Sequence, residues 1–123
     1  MRYMYLVNSC NAEMPPKALF EELDKMAEKA IKSGAMIDSG GLMPLHMGSA
    51  RIRLEGGKIN VIDMPLAEGK EVVGGYAIFE FKTRAEAIQS AIEFMDVHKR
   101  FHPGWEGTCE MRPMMSDPHN PPA

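Results

Sequence analysis

The sequence predicts one α+β domain with a ferredoxin-like βαββαβ order and a β-hairpin inserted between the second and third core strands. Three observations predict this fold: two amphipathic helical segments, apolar extended segments on both sides of each helix, and a Gly-Gly turn between two alternating strands. The chain has 123 residues and a mass of 13.7 kDa, which fits a single domain. We assign that domain to residues 1–115 and a Pro-rich tail to residues 116–123.

The first strand and the first helix differ in their hydrophobic period. Residues 2–8 form a nearly continuous apolar run, which is typical of a central strand buried on both faces. Pro15 and Pro16 then open a helix, because proline is tolerated in the first helical turn. Seven apolar side chains follow at helical spacing: Leu19, Phe20, Leu23, Met26, Ala27, Ala30 and Ile31. Gly34 ends this helix, since glycine readily adopts the left-handed conformation found there.

An alternating pattern around Gly56-Gly57 gives the clearest local signal. Residues 51–55 and 58–62 alternate polar and apolar side chains on either side of this pair. Two glycines in that setting favour a tight hairpin with positive φ at both turn residues. The apolar face of the hairpin then carries Ile52, Leu54, Ile59 and Val61. The two-residue period of a strand places Asp63 on the same face.

The remaining elements complete the order. Strands are predicted at residues 35–42, 72–81 and 108–112. Thr83 and Glu86 form a capping box that starts the second helix. This helix ends near Phe101, because Pro103 disfavours the helical conformation in the residue before it. Both helices of such a fold lie on one face of the sheet, so the other face needs a cover. A second copy is the simplest cover, and we therefore predict a homodimer.

Composition and charge exclude several classes of function. Fourteen Lys and Arg against seventeen Asp and Glu give a net charge of −3, so no basic surface for nucleic acid is expected. No apolar run approaches about 18 residues, so no membrane span is expected. Cys10 and Cys109 match no metal or redox spacing, which favours reduced thiols and a cytoplasmic location. We find no phosphate-binding glycine loop and no G-x-S-x-G motif, and we expect no cofactor.

Asp63 is the first candidate for chemistry. A carboxylate on the apolar side of a strand is costly unless a donor pairs with it. An Asp before a Pro-containing turn also commonly accepts hydrogen bonds from nearby backbone amides. A structural role in the turn and a role in catalysis or ligand contact therefore both remain open.

His98 and His102 are the second candidates, four residues apart near the end of the second helix. This spacing suits zinc binding from one helix face, but no third ligand is adjacent and we predict no metal site. A histidine in the last helical turn also interacts favourably with the helix dipole. The alternatives are a capping or surface role and a functional hydrogen bond.

Four further residues are candidate ligand contacts. Lys70 and Glu71 are adjacent, and the simpler interpretation is a solvated charge pair. Arg112 shares a strand face with Glu110, so it forms either an interface ion pair or a site for a substrate carboxylate. Trp105 is the only tryptophan, and it either walls an apolar pocket or holds the loop before the last strand.

The stretch from Asp63 to Tyr76 resembles the hallmark of YCII-related proteins of the DGPF-motif branch. The matching residues are Asp63, Pro65, Lys70-Glu71 and Gly74-Gly75-Tyr76. The usual motif reads Asp-Gly-Pro-Phe, so Met64 and Leu66 depart from it. Three other segments are also similar to the family: residues 2–6, 39–44 and 103–113.

The resemblance implies a ferredoxin-like fold that pairs into a dimeric α/β barrel. Some YCII-type proteins use a histidine on the first helix together with an Asp as a proposed catalytic pair. Residues 16–33 contain no histidine, so that pair does not carry over. Asp63 matches the Asp of the motif, and His98 is its candidate partner by elimination.

These observations together predict a small cytoplasmic homodimer with a small-molecule pocket. In the enzyme hypothesis Asp63 is a general base and His98 relays a proton, while Lys70 or Arg112 orients an anion. The reaction is then an elimination or isomerisation of an anionic or aromatic metabolite without a cofactor. The alternative is a non-catalytic module that senses a ligand or binds another protein.

Overall fold

Two helices and six strands follow one another in a computed structural model of the chain, which describes residues 1–9, 15–63 and 72–115. The elements are β1 (Arg2–Ser9), α1 (Lys17–Lys32), β2 (Met36–Gly41), β3 (Ala50–Glu55), β4 (Lys58–Asp63), β5 (Val72–Glu80), α2 (Arg84–Phe101) and β6 (Gly107–Pro113). The predictions for Lys70, Glu71 and the tail at 116–123 lie outside the described residues.

Four strands form an antiparallel sheet in the order β2-β5-β1-β6. This is the strand order of the ferredoxin-like split βαβ fold, in which the two strands that precede the helices lie side by side in the middle of the sheet. The α+β class predicted from the sequence is therefore confirmed. None of the helices within the described ranges is long and apolar enough to cross a membrane.

The main core lies between this sheet and both helices. Tyr3 and Tyr5 of β1, Phe79 of β5 and Ala87 of α2 form a buried cluster, and Ala30 of α1 packs against it. The hydroxyl of Tyr5 donates a hydrogen bond to the backbone carbonyl of Ala87, which satisfies both buried groups. Because side chains from both helices meet one cluster, both helices cover the same face of the sheet. We call the four-stranded sheet with α1 and α2 the body.

The helix ends follow the local sequence. Pro16 precedes the first turn of α1, and Gly34 follows its end with φ of +79°. The amide of Glu86 donates to the Thr83 hydroxyl over 3.2 Å, as predicted for a capping box. The Glu86 carboxylate accepts from the amide of Lys82 rather than from that of Thr83.

The other face of the sheet has no helix over it. Met4 and Leu6 of β1 and Tyr76 and Ile78 of β5 lie there side by side and are half-buried. Burial of β1 on both faces was expected from its apolar run, and only the helix side is fully buried. We call this surface the open face.

The strands β3 and β4 form a separate two-stranded sheet, which we call the arm (residues 50–63). Its register pairs Glu55 with Lys58, Leu54 with Ile59, Ile52 with Val61 and Ala50 with Asp63. Gly56 and Gly57 join the strands with φ of +57° and +76°, which allows the tight turn. Every residue of both strands is exposed.

Candidate functional site

Three aromatic rings follow one another along the C-terminal half of α2 and meet a fourth in the next loop. Phe94 and His98 of α2 and His102, which follows the end of the helix, are spaced four residues apart, so their rings lie on one side of α2. The ring centroids of Phe94 and His98 are 4.6 Å apart, and those of His98 and Trp105 are also 4.6 Å apart. The centroid of His102 lies 6.4 Å from that of Trp105. The two histidines and the tryptophan therefore form one cluster.

Trp105 is held in this cluster by two residues at the ends of neighbouring strands. Its indole N–H donates to the Ser9 hydroxyl over 3.0 Å. Gly107 at the start of β6 leaves room for the ring, because a Cβ at that position would collide with the indole and with the carbonyl of Asn8. The position of the indole thus depends on the hydrogen bond to Ser9 and on the space that Gly107 leaves for the ring.

His98 is buried and neutral at physiological pH. Its Nδ1 lies 3.0 Å from the backbone carbonyl of Phe94, and since a carbonyl only accepts, Nδ1 carries the proton. The neutral ring then leaves Nε2 as a hydrogen-bond acceptor. Burial lowers the pKa of His98 from its ordinary value of 6.5, whereas the hydrogen bond to the Phe94 carbonyl raises it and the neighbouring His102 lowers it.

His102 is buried as well, with 5% of its surface exposed. Its Nδ1 has no hydrogen-bond partner among the described residues. A buried polar atom in that state costs about 1–3 kcal/mol, so it is usually satisfied by water or by a ligand. His102 is also one of the residues that line an open cleft.

The cleft beside His102 has a volume of about 440 Å³, within the range of small-molecule sites. It is lined by Met95, Lys99, His102, Gly104, Trp105, Glu106 and Gly107. Met95 and Trp105 supply apolar surface, and Lys99 and Glu106 supply one charge of each sign. Neither charge forms an ion pair within the described ranges, so both are available to a bound molecule.

Comparison with protein families identifies the fold family. A model of the YCII-related domain matches residues 1–94. The chain belongs to the YCII-related family. A search of curated proteins gives no match. The family match ends at Phe94, so it covers the sheet up to β5 and most of α2 but not the cluster of His98, His102 and Trp105. Family membership therefore supports the fold and leaves the role of the cleft to its own geometry.

Of the predicted site residues, the structure of this YCII-related chain brings His98, His102 and Trp105 together. Asp63 lies at the end of the arm opposite Ala50 and is exposed. Within the described part of the chain, no hydrogen bond or ion pair joins Asp63 to His98. Arg112 lies on the open face beside Met4 and does not line the cleft.

Several cleft residues of this YCII-related chain were not singled out from the sequence. Lys99 precedes His102 by three residues on α2, and helical spacing alone would have found it. Ser9 and Gly107 give no such signal, because their roles depend on contacts between residues distant in sequence. Ser9 is 96 residues from the indole it binds.

Cysteine and metal chemistry gain no support at this site. Burial raises the pKa of the Cys109 thiol, which keeps it protonated at neutral pH. Cys10 lies outside the described residues. Within the described ranges, no group of three or more His, Cys, Asp or Glu side chains is placed to hold a metal ion.

Proposed function

We propose that this protein binds a small anionic aromatic molecule in the cleft beside His102 and Trp105. The observation that carries the proposal is the buried Nδ1 of His102, which has no partner among the described residues and belongs to a residue that lines the cleft. A bound ligand atom would satisfy this nitrogen and would offset the cost of burying it.

Each recognition element of the ligand has a counterpart in the cleft. The indole of Trp105 offers a flat apolar surface on which an aromatic ring stacks. The ammonium group of Lys99 suits a carboxylate, and its position on the last turn of α2 places it beside His102. His102 supplies one directional hydrogen bond, so the three groups together select a ring with a negative substituent.

An acid–base reaction is the more specific form of this proposal. In it the neutral imidazole of His98, which packs on Trp105 and does not itself line the cleft, relays a proton through Nε2. The reaction class is an elimination or isomerisation without a cofactor. Asp63 enters only through a second copy of the chain, because no bond joins it to His98 within the described residues. That separation favours the second candidate function, which is ligand sensing without chemistry.

The proposed assembly is a homodimer in which a second copy covers the open face, giving a dimeric α/β barrel. Its support is the row of apolar side chains on that face: Met4, Leu6, Tyr76 and Ile78. We also assign the chain to the DGPF-motif branch, on the strength of Asp63, Pro65 and Gly74-Gly75-Tyr76. A cytoplasmic location remains part of the proposal.

The only tryptophan of the chain lies in the cleft, so its fluorescence tests ligand binding directly. We expect saturable quenching by benzoate and 4-hydroxybenzoate, and weaker binding of benzamide, which lacks the charge that Lys99 recognises. His102→Ala should weaken benzoate binding about tenfold, the effect of one lost hydrogen bond to a charged group. His46→Ala changes an exposed loop histidine and should leave binding unchanged. Equal binding by wild type and His102→Ala would overturn the proposal.

An NMR titration of the four histidines separates chemistry from sensing. If the Asp63 carboxylate of a second copy reaches His98, Asp63→Asn removes a negative charge and lowers the pKa of His98 further. The acid–base form of the proposal expects that shift. An unchanged His98 titration in the variant, with benzoate still bound, supports the sensing function instead.

A further inference from the structure

Among the described residues, the apolar face of the arm is a large uncovered hydrophobic surface. Its members are Ile52, Leu54, Ile59 and Val61, which are 64–72% exposed. Among the described residues, ten of the fifteen exposed large hydrophobic side chains lie between Ile37 and Val73. The exposed apolar surface is therefore concentrated in and around the arm.

An arm of this kind is not stable by itself. A two-stranded sheet is marginal in water unless a further layer covers its apolar face. All four side chains are exposed within the described part of the chain, so the covering layer has to come from elsewhere. The opposite face of the arm carries Arg51, Arg53, Glu55 and Lys58 and is suited to water.

We propose that the apolar face of the arm packs on the open face of a second copy, and that the second arm packs back in the same way. The proposal rests on the homodimer proposed above and names the surface that forms it. A two-fold axis makes the contact reciprocal, so each chain supplies one arm and one open face.

The open face is suited to receive the arm. Met4 and Leu6 alternate along β1 and form an apolar strip of the same period as Ile52 and Leu54 in the arm. Two sheets that face each other with such strips pack about 10 Å apart, with interdigitating side chains. The arm would add a second β layer to a face that no helix of the body covers.

The area involved meets the need of a stable dimer. An aliphatic side chain holds on the order of 100 Å² of apolar surface, so the four exposed side chains of one arm offer ~300 Å². With an equal area buried on each strip that an arm covers, two arms and two strips bring the total to about 1,200 Å², the lower limit for a specific interface. One arm on an unrelated flat surface would bury half as much.

Two charged side chains set the orientation of the arm on the open face. Asp63 ends the apolar face of the arm, and Arg112 lies beside Met4 on the open face. Neither side chain forms an ion pair within the described residues, and they carry opposite charges. Glu110, beside Leu6 on the same face, would repel Asp63 if the arm lay the other way round.

Two neighbouring substitutions test the contact. Val61→Asp puts a charge on the apolar face of the arm, whereas Ile62→Asp puts the same charge on its opposite face. We expect wild type and Ile62→Asp to be dimers at micromolar concentration by sedimentation velocity. Val61→Asp should raise the dissociation constant at least about thirtyfold, because an unpaired charge would be buried in the contact.

The outcomes separate this contact from the homodimer and from the cleft. The wild-type protein should be measured at about 100 µM, roughly 100 times a dissociation constant of ~1 µM. A monomer at that concentration would overturn both the arm contact and the homodimer. A Val61→Asp variant that remains as dimeric as Ile62→Asp would overturn the arm contact alone. Benzoate quenching of Trp105 in monomeric Val61→Asp reports on the cleft independently.

Hydrogen exchange of the wild-type protein gives the answer even if Val61→Asp fails to fold. The contact predicts that amides of residues 50–63 exchange at least about tenfold more slowly at high than at low protein concentration, because the dimer protects them. The amides of α1, on the far side of the sheet, should not change. Exchange in the arm that is independent of concentration would overturn the contact.

Discussion

The strands of the body and of the arm both carry apolar side chains, yet only the body buries them. Tyr3 and Tyr5 of β1 are 5% and 2% exposed because two helices cover them, whereas Leu54 in the arm is 72% exposed. The period of a strand sets which side chains share a face, and the rest of the fold decides whether that face is covered. Matched substitutions in the body and in the arm test this difference in burial.

The largest expected effect comes from removing a leucine in each region. Leu19 of α1 is 1% exposed, so Leu19→Ala should lower the free energy of unfolding by about 3 kcal/mol through lost burial and a cavity. Leu54→Ala in the arm should change it by less than about 0.5 kcal/mol when the protein is dilute and monomeric. Urea denaturation measures both. A comparable loss in the arm would mean that the arm is covered within its own chain.

A smaller effect is expected from glycines at two strand positions. Gly107→Ala brings a Cβ against the Trp105 indole and the Asn8 carbonyl, and should cost about 2 kcal/mol of stability. Trp105 should also move towards water, seen as a red shift of its emission. Gly41→Ala in β2 meets nothing within 4 Å and serves as the control. Unchanged emission from Gly107→Ala would show that the indole does not depend on this glycine.

The tyrosines of the two sheet faces should respond differently to loss of their hydroxyl groups. Tyr5→Phe leaves the buried Ala87 carbonyl without its donor and should cost about 1–2 kcal/mol. The hydroxyl of Tyr76 on the open face donates to exposed Asp38 over 3.2 Å, so Tyr76→Phe should be nearly neutral. Thermal unfolding compares the two variants. An equal loss from both would contradict the assignment of a covered and an open face.

Alkaline pH adds a second test at Tyr5. Burial raises the pKa of Tyr5 from 10.0 to about 12, so the folded state holds the phenol proton more tightly than the unfolded state does. The stability that the protonated Tyr5 phenol adds to the folded state is present below pH 10 and is lost as the pH rises towards 12. Tyr5→Phe should lose less stability than wild type over this interval. Parallel curves for the two proteins would contradict the raised pKa.

The smallest effect is expected at His98 in acid. The folded state disfavours protonated His98, so the stability that this neutral ring contributes is present above pH 6.5 and is lost as the pH falls below it. The difference in melting temperature between wild type and His98→Gln should therefore shrink from pH 7 to pH 5. His46→Gln, in an exposed loop, controls for general acid effects. A difference that is constant with pH would show that His98 is not buried as a neutral ring.

The parts of the fold that local chemistry determines could be predicted from the sequence. The end of α2 at Phe101 follows from Pro103, and the pairing of Glu55 with Lys58 is the one that a turn at Gly56-Gly57 requires. The half-burial of Met4 and Leu6 could not be predicted, because an apolar run does not say how many layers cover it. Coverage depends on where the helices pack.

The candidate site was predicted residue by residue but not as an arrangement. Helical spacing and residue type singled out His98 and His102, and the rarity of tryptophan singled out Trp105. Their assembly depends on Ser9 and Gly107, which come from the ends of two different strands. The pairing of Asp63 with His98 stays a prediction, since a contact between distant residues leaves no periodic trace in one sequence.

The arm has a consequence for how the protein behaves in concentrated solution. Among the described residues β3 and β4 pair only with each other, so both long edges of the arm present unpaired backbone groups. Arg51, Arg53 and Lys58 outnumber Glu55 on the polar face of this ribbon, so the face has a net positive charge that repels a second ribbon approaching edge to edge. Salt screens such repulsion over about 10 Å at 0.1 M. Free arms should therefore associate into fibrous aggregates more readily as the ionic strength rises.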